Sequence, residues 1–155
     1  ADEILPLGND TVPDPEMIAN LLQWRRQYPD AVLTLEGRTR RPGRSYQSWP
    51  KTYGHACPEP YRVTHTFGRG ELTRRAWLPA IFTHFPFGPA TVMDDLWYSA
   101  AVDRTGRAIY IVPTVKGVSH LGDLPGYLHG LSRQPGWGAA RDAVVAEIDR
   151  QQEGR

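Results

Sequence analysis

Apolar residues first recur at helical spacing at Met17, Ile18, Leu21, Leu22 and Trp24, the stripe of an amphipathic helix. Asp14-Pro15-Glu16 precedes it with an N-cap, a first-turn proline and an acid suited to the positive helix end. Pro29 stops the run, so a helix is predicted over 15–27. Ala31 to Glu36 is a short apolar strand ending at Gly37. From 37 to 60, Pro42, Pro50, Pro58 and Pro60 interrupt any periodicity. A long loop is predicted there, and such loops in compact domains often carry function. Clean alternation returns from Tyr61 to Phe67, with Tyr61, Val63, His65 and Phe67 on one face and Arg62, Thr64 and Thr66 on the other. Gly68-Arg69-Gly70 ends that strand, and Leu72 to Phe85 reads as a helix that Pro79 kinks or splits.

Two further apolar runs, Leu96 to Asp103 and Arg107 to Val115, flank Asp103-Arg104-Thr105-Gly106. A type I turn followed by glycine in the left-handed region fits that spacing, so a β-hairpin is predicted. Ile109 and Ile111 alternate with Ala108, Tyr110 and Val112, and a strand apolar on both faces belongs at the centre of a sheet. Residues 116–138 are glycine-rich and read as a second long loop. Ala139 to Gln152 closes the chain as a helix, with Ala140, Val144, Val145 and Ile148 inward. The expected class is α+β: a small mixed or antiparallel sheet of about four strands, helices mainly on one face, and two long loops. One domain over 1–155 is expected, with 1–13 as a loosely ordered arm.

Composition changes this picture little; charge changes it more. The net charge is +1, yet Arg38, Arg40, Arg41, Arg44, Lys51, Arg62, Arg69, Arg74 and Arg75 face only Glu59 and Glu71 across residues 38–75. The first 37 residues carry seven acids against Arg25 and Arg26. Tyr46, Trp49, Tyr53 and Tyr61 are interleaved with the bases, and cations mixed with flat rings suit a single-stranded polyanion. The bland alternative is a solvated loop whose arginines pair with the acidic front of the chain. The longest apolar runs fall well short of a membrane span. The acidic start has no apolar h-region, so no secretory signal is expected. Cys57 is the one cysteine, which excludes an internal disulfide and makes a reducing, cytoplasmic setting the expectation.

The candidate chemistry is sparse. His65, with Arg62 and Thr66 beside it and His55 nearby, is the candidate catalytic set, a general base among cationic and hydroxyl groups. Alternation nevertheless places His65 with Val63 and Phe67, as a core-edge histidine. His55, Cys57 and His65 offer three soft ligands without a second two-ligand hook, so no metal and no cofactor is expected. Cys57 has no predicted helix N-terminus to stabilise a thiolate and reads as inert. Phe67-Gly68-Arg69-Gly70-Glu71 matches neither phosphate-binding glycine fingerprint and reads as an ordinary strand-to-helix turn. Asp94-Asp95 would point to opposite faces of a strand, which favours a cap or loop role.

Trp97-Tyr98, Asp103-Arg104-Thr105-Gly106-Arg107 and Tyr110-Ile111-Val112 together are faintly similar to the hairpin of GIY-YIG nucleases. Val112 stands where that family has glycine, and its helix arginine has no counterpart in Pro113 to Leu121. Pro60-Tyr61-Arg62 resembles the start of some ADP-ribosyltransferase domains, whose Ser-Thr-Ser strand and acidic motif are absent. The leading expectation is a nucleic-acid-binding domain, RNA or DNA, that uses Arg38, Arg40, Arg41, Arg44, Tyr46, Trp49, Lys51, Tyr53, Arg69, Arg74 and Arg75. Neutralising about five phosphates would weaken binding on the order of a thousandfold between 50 and 200 mM salt. The alternatives are a metal-independent nuclease or NAD-consuming transferase built on His65 or His55 with Arg62, and a module that docks an acidic protein partner.

Overall fold

The computed structural model describes residues 2–7, 11–12, 14–68, 70–84, 93–114, 119–120 and 135–153. The elements in order are β1 (Glu3–Ile4), β2 (Thr11–Val12), α1 (Pro15–Arg25), β3 (Val32–Thr34), β4 (Glu36–Arg38), β5 (Lys51–Tyr53), β6 (Tyr61–Val63), β7 (His65–Thr66), β8 (Thr73–Arg74), α2 (Leu78–Thr83), α3 (Asp94–Arg104), β9 (Ile109–Ile111), β10 (Ser119–His120) and α4 (Trp137–Glu153). The class is α+β.

Two three-stranded sheets form the centre, in the orders β3-β9-β6 and β5-β4-β7. They are joined by bends. β3 continues through Leu35 into β4, and β6 continues through Thr64 into β7, so two strands each serve both sheets. β9 runs parallel to β3 and antiparallel to β6, with Ile109 opposite Val32 and Val63. Its burial fits the two-sided apolar pattern. Gly37 sits where two strands approach closely: a Cβ there would collide with the His65 carbonyl and press on Val63. Two-stranded ladders complete the structure, β1 with β8 and β10 with β2.

Asp14 caps α1 as expected, its carboxylate accepting from the Glu16 N–H at 2.8 Å. Met17 and Leu21 turn inward to pack on Leu33, Leu35, Leu72 and Val112. The other face of the first sheet packs on Trp77, Ile81, Ala101 and Val102. A third cluster joins Tyr46 and Trp49 to Met93, Leu96, Trp97 and Ala100 of the α3 region and Ile148 of α4.

Three expectations are corrected. The predicted hairpin over 96–115 does not form: 94–104 is helix α3, and the partners of β9 are β3 and β6. Leu96, Trp97, Ser99, Ala100, Ala101 and Val102 are all buried. A helix covered on nearly every side has no polar stripe, so its run looks like a buried strand. Gly106, with φ +73°, follows the helix C-cap at Thr105 instead of closing a hairpin turn. The loop predicted over 37–60 contains β4 and β5, paired antiparallel with Gly37 opposite Thr52. The helix predicted from Leu72 begins only at Leu78, where Pro79 occupies its first turn; Thr73–Arg74 is strand. The second long loop, over 116–138, falls almost wholly outside the described residues. No described helix is long and apolar enough to cross a membrane.

Candidate functional site

The basic segment does not form one surface. Arg38 lies on the central strand of the second sheet and is buried, 3 % exposed. Its Nη1 is shared among the carbonyls of Tyr46 (2.9 Å), Gln47 (3.2 Å) and Trp49 (2.8 Å), which fold a short turn back onto the strand. Arg40, two residues along, forms an ion pair with Asp149 of α4 and bonds Gln152 at 3.3 Å. Arg41 and Arg44 are exposed at the loop tip. Arg74 bridges to Glu3 at 3.3 Å and lies over the Trp77 ring, while Arg75 is exposed. Arg69 lies outside the described residues. The charge contrast along the chain is thus met in part internally, at Glu3 and, less expectedly, on α4.

The aromatics divide in the same way. Tyr46 and Trp49 are buried in the third core cluster, so neither offers an open ring face for a base, which corrects their expected stacking role. Tyr53 and Phe67 are half-buried, with ring centroids 6.5 Å apart. They line a cleft of about 310 Å³ with Arg38, Tyr46, Gln47, Lys51, Asp95, Trp137 and Arg141. Three cations, four rings and one carboxylate therefore meet where β4, β5, the Tyr46 turn and the starts of α3 and α4 converge.

The residues lining this cleft carry buried polar atoms with no hydrogen-bond partner: Arg38 Nε, Arg141 Nε and Trp137 Nε1. A buried donor left unmade costs about 1–3 kcal/mol, so native structures rarely gather several in one place. The Arg38 and Arg141 guanidinium carbons lie 4.5 and 4.7 Å from the Tyr46 ring centroid. Arg141 also stands 5.8 Å from the Trp137 ring, as the i,i+4 spacing on α4 permits. Asp95 holds Arg141 at 3.3 Å. Burial raises the Asp95 carboxyl above its ordinary range although Arg141 pulls it down. Burial likewise pushes the Tyr46 phenol up to about 12.

Asp95 also borders a second pocket, of about 260 Å³, with Pro6, Leu7, Gly68, Glu71, Phe82, Asp94 and Tyr98. Glu71 is buried there and accepts the Thr66 hydroxyl at 2.6 Å. Burial pushes it up to about 7, despite that hydrogen bond, and Asp95 adds to the rise. Glu71 is therefore not at a helix start, as its place after Gly70 suggested.

The expected catalytic set is not assembled. His65 is buried against the Trp49 ring, 4.8 Å between centroids, and its Nδ1 lies 2.9 Å from Thr64 Oγ1. Burial, reinforced by Arg40, lowers it to about 3, so it is a neutral core-edge imidazole. Thr66 is buried and engaged with Glu71. Arg62 is exposed on β6, and His55 is exposed beside the Tyr53 ring. The four do not converge on one cavity. Cys57 is half-buried with its thiol pushed up by burial, which fits an inert cysteine. Among the described residues no three His, Cys, Asp or Glu side chains are placed to hold a metal ion.

Sequence reasoning passed over Trp137 and Arg141, and gave Phe67 and Asp95 other places, in a strand-to-helix turn and in a cap or loop. One signal was present: Trp137 and Arg141 share a face at the start of a helix. No family model matches the chain, and comparison with the curated proteins finds no match.

Proposed function

We propose that this chain binds single-stranded nucleic acid, taking one nucleotide into the cleft between Arg38, Tyr53, Phe67, Trp137 and Arg141. The observation that carries the proposal is the set of unpaired buried donors on that wall, Arg38 Nε, Arg141 Nε and Trp137 Nε1. Arginine binds phosphate with two parallel N–H donors. Tyr53 and Phe67 supply half-exposed rings for a base, worth about 1–3 kcal/mol for each base stacked. Duplex ligands lack the free base faces such stacking needs. Fluorescence anisotropy with labelled single-stranded RNA, single-stranded DNA and duplex DNA tests this at 50 mM salt. Single strands should bind and duplex should bind more weakly. Tyr53→Ala and Arg141→Gln should each weaken single-strand binding by about fivefold or more, the lower end of the stacking range. Equal affinity of both variants and the unaltered chain for single strands would end the proposal.

The Glu71 and Asp95 carboxylates favour a second reading, in which the bound ligand is also turned over. A carboxyl raised to about 7 by burial can give up or take a proton near neutral pH. Asp95 links that pocket to the cleft. This version of the nuclease or NAD-consuming activity relies on carboxylates instead of His65. Incubation with single-stranded RNA, single-stranded DNA and NAD should then give products that Asp95→Asn removes and His65→Leu does not. Absence of product from all three leaves binding as the function.

A further inference from the structure

We infer that the strand leaves the cleft over the Ser45–Tyr46 ridge and enters a second, arginine-lined groove, so that the ligand is a polynucleotide and not a free nucleotide. The inference rests on the nucleic-acid reading of the cleft. The groove measures about 310 Å³ and lies between the 40–45 loop and α4, with Arg40, Arg41, Arg44, Ser45, Asp142 and Asp149 among its walls. It shares its boundary with the cleft twice. Ser45 lines the groove and Tyr46 the cleft; Asp142 lines the groove and Arg141 the cleft. Consecutive Cα atoms are about 3.8 Å apart, so at both places neighbouring residues border the two spaces.

The charge in the groove is available to a ligand in a specific way. Asp142 is occupied by the Tyr46 N–H at 2.6 Å, and Asp149 by Arg40. Arg41 and Arg44 are exposed and, among the described residues, have no ion-pair partner. Between them Gly43 adopts φ +70° with open space where a Cβ would stand, and both arginines line the groove. A nucleotide confined to the cleft would leave Arg41 and Arg44 unused. A strand that places one base in the cleft carries its next phosphates past them. Nucleic-acid grooves that track the backbone combine positive charge with stacking rings in this way.

Oligouridylates of one, two, four and eight nucleotides, measured by competition against a labelled octanucleotide, test the path. Affinity should rise with each step up to four nucleotides. With three phosphates engaged, one in the cleft and one each at Arg41 and Arg44, octanucleotide binding should weaken about twentyfold between 50 and 200 mM salt, following a slope of roughly −0.7 per phosphate for single strands. In the Arg41→Ala/Arg44→Ala chain the same change should be only about threefold, and the gain between one and eight nucleotides should disappear. Circular dichroism confirms that this exposed-loop variant is folded. If the mononucleotide binds as tightly as the octanucleotide, the strand path is wrong while the nucleotide cleft stands. If no length binds at 50 mM salt, the nucleic-acid reading fails and the path with it. Salt sensitivity unchanged in the double variant also overturns the path.

Discussion

Replacing Arg38 with methionine is expected to lower stability by about 4 kcal/mol, within the range seen when one side of a buried polar constellation is removed. Methionine fills much of the volume, so cavity formation contributes little. The loss comes from the three carbonyls of Tyr46, Gln47 and Trp49, which one guanidinium nitrogen now satisfies. Without it the Trp49 carbonyl is left buried and unpaired and the Tyr46 carbonyl keeps only the Trp49 N–H, at about 1–3 kcal/mol for each unmade buried bond. The contacts with the Tyr46 and Phe67 rings, at 4.5 and 5.5 Å, disappear too. A chain of this size has about 5–15 kcal/mol in total, so the variant should melt roughly 10 °C lower or more. Arg40→Met is the matched control. Its ion pair with Asp149 is a quarter to a third exposed, and such pairs contribute about 1 kcal/mol or less. Urea unfolding at pH 7 separates the two. If Arg38→Met costs no more than Arg40→Met, Arg38 does not anchor the turn.

That two arginines only two residues apart behave so differently marks how far the sequence was legible. The cationic, aromatic character of 38–53 was visible as composition. Which side chains face inward was not, because β4 and β5 have three residues each, too few for alternation to register. Helix α1 was legible because Asp14, Pro15 and an apolar stripe agree on it. The central place of β9 was legible because apolar residues occupy both its faces. Helix α3 was not: Leu96 to Val102 is buried almost all round, which erases the 3.6-residue signal, and Gly106 serves a hairpin turn and a helix end equally well. The cleft draws on Arg38 and Tyr53 from one part of the chain and Trp137 and Arg141 from another. Their convergence depends on α4 packing over the Tyr46 turn, through Ile148, Val144 and Val145. No local pattern encodes that.

Two displaced buried groups, His65 and Glu71, should give this protein a plateau of stability in mildly acid solution, with opposite slopes on either side. His65 is lowered from 6.5 to about 3. Between those values the unfolded chain binds a proton that the folded chain does not, so stability rises with pH. The stabilisation is complete above about 6.5 and is lost as pH falls through about 3. Glu71 is raised from 4.5 to about 7. Across that interval the folded chain holds the extra proton, so stability falls as pH rises, and the contribution is fully present only below about 4.5. Each pH decade is worth about 1.4 kcal/mol per group. The full effects are therefore on the order of 5 kcal/mol for His65 and 3 kcal/mol for Glu71. From about 4.5 to 6.5 the two cancel. Urea unfolding from pH 3.5 to 8 should thus show a rise, a flat stretch and a shallow fall. Glu71→Gln keeps an acceptor for the Thr66 hydroxyl and should convert the flat stretch into a continuing rise to pH 6.5. It should also be more stable than the unaltered chain at pH 8, where the carboxylate is otherwise buried in its charged form. His65→Leu should do the reverse, leaving stability that declines from pH 4.5 to 7. The slopes carry the test, so a uniform change in stability from either substitution does not obscure it. Parallel curves for all three chains would show that neither buried group titrates as its surroundings require.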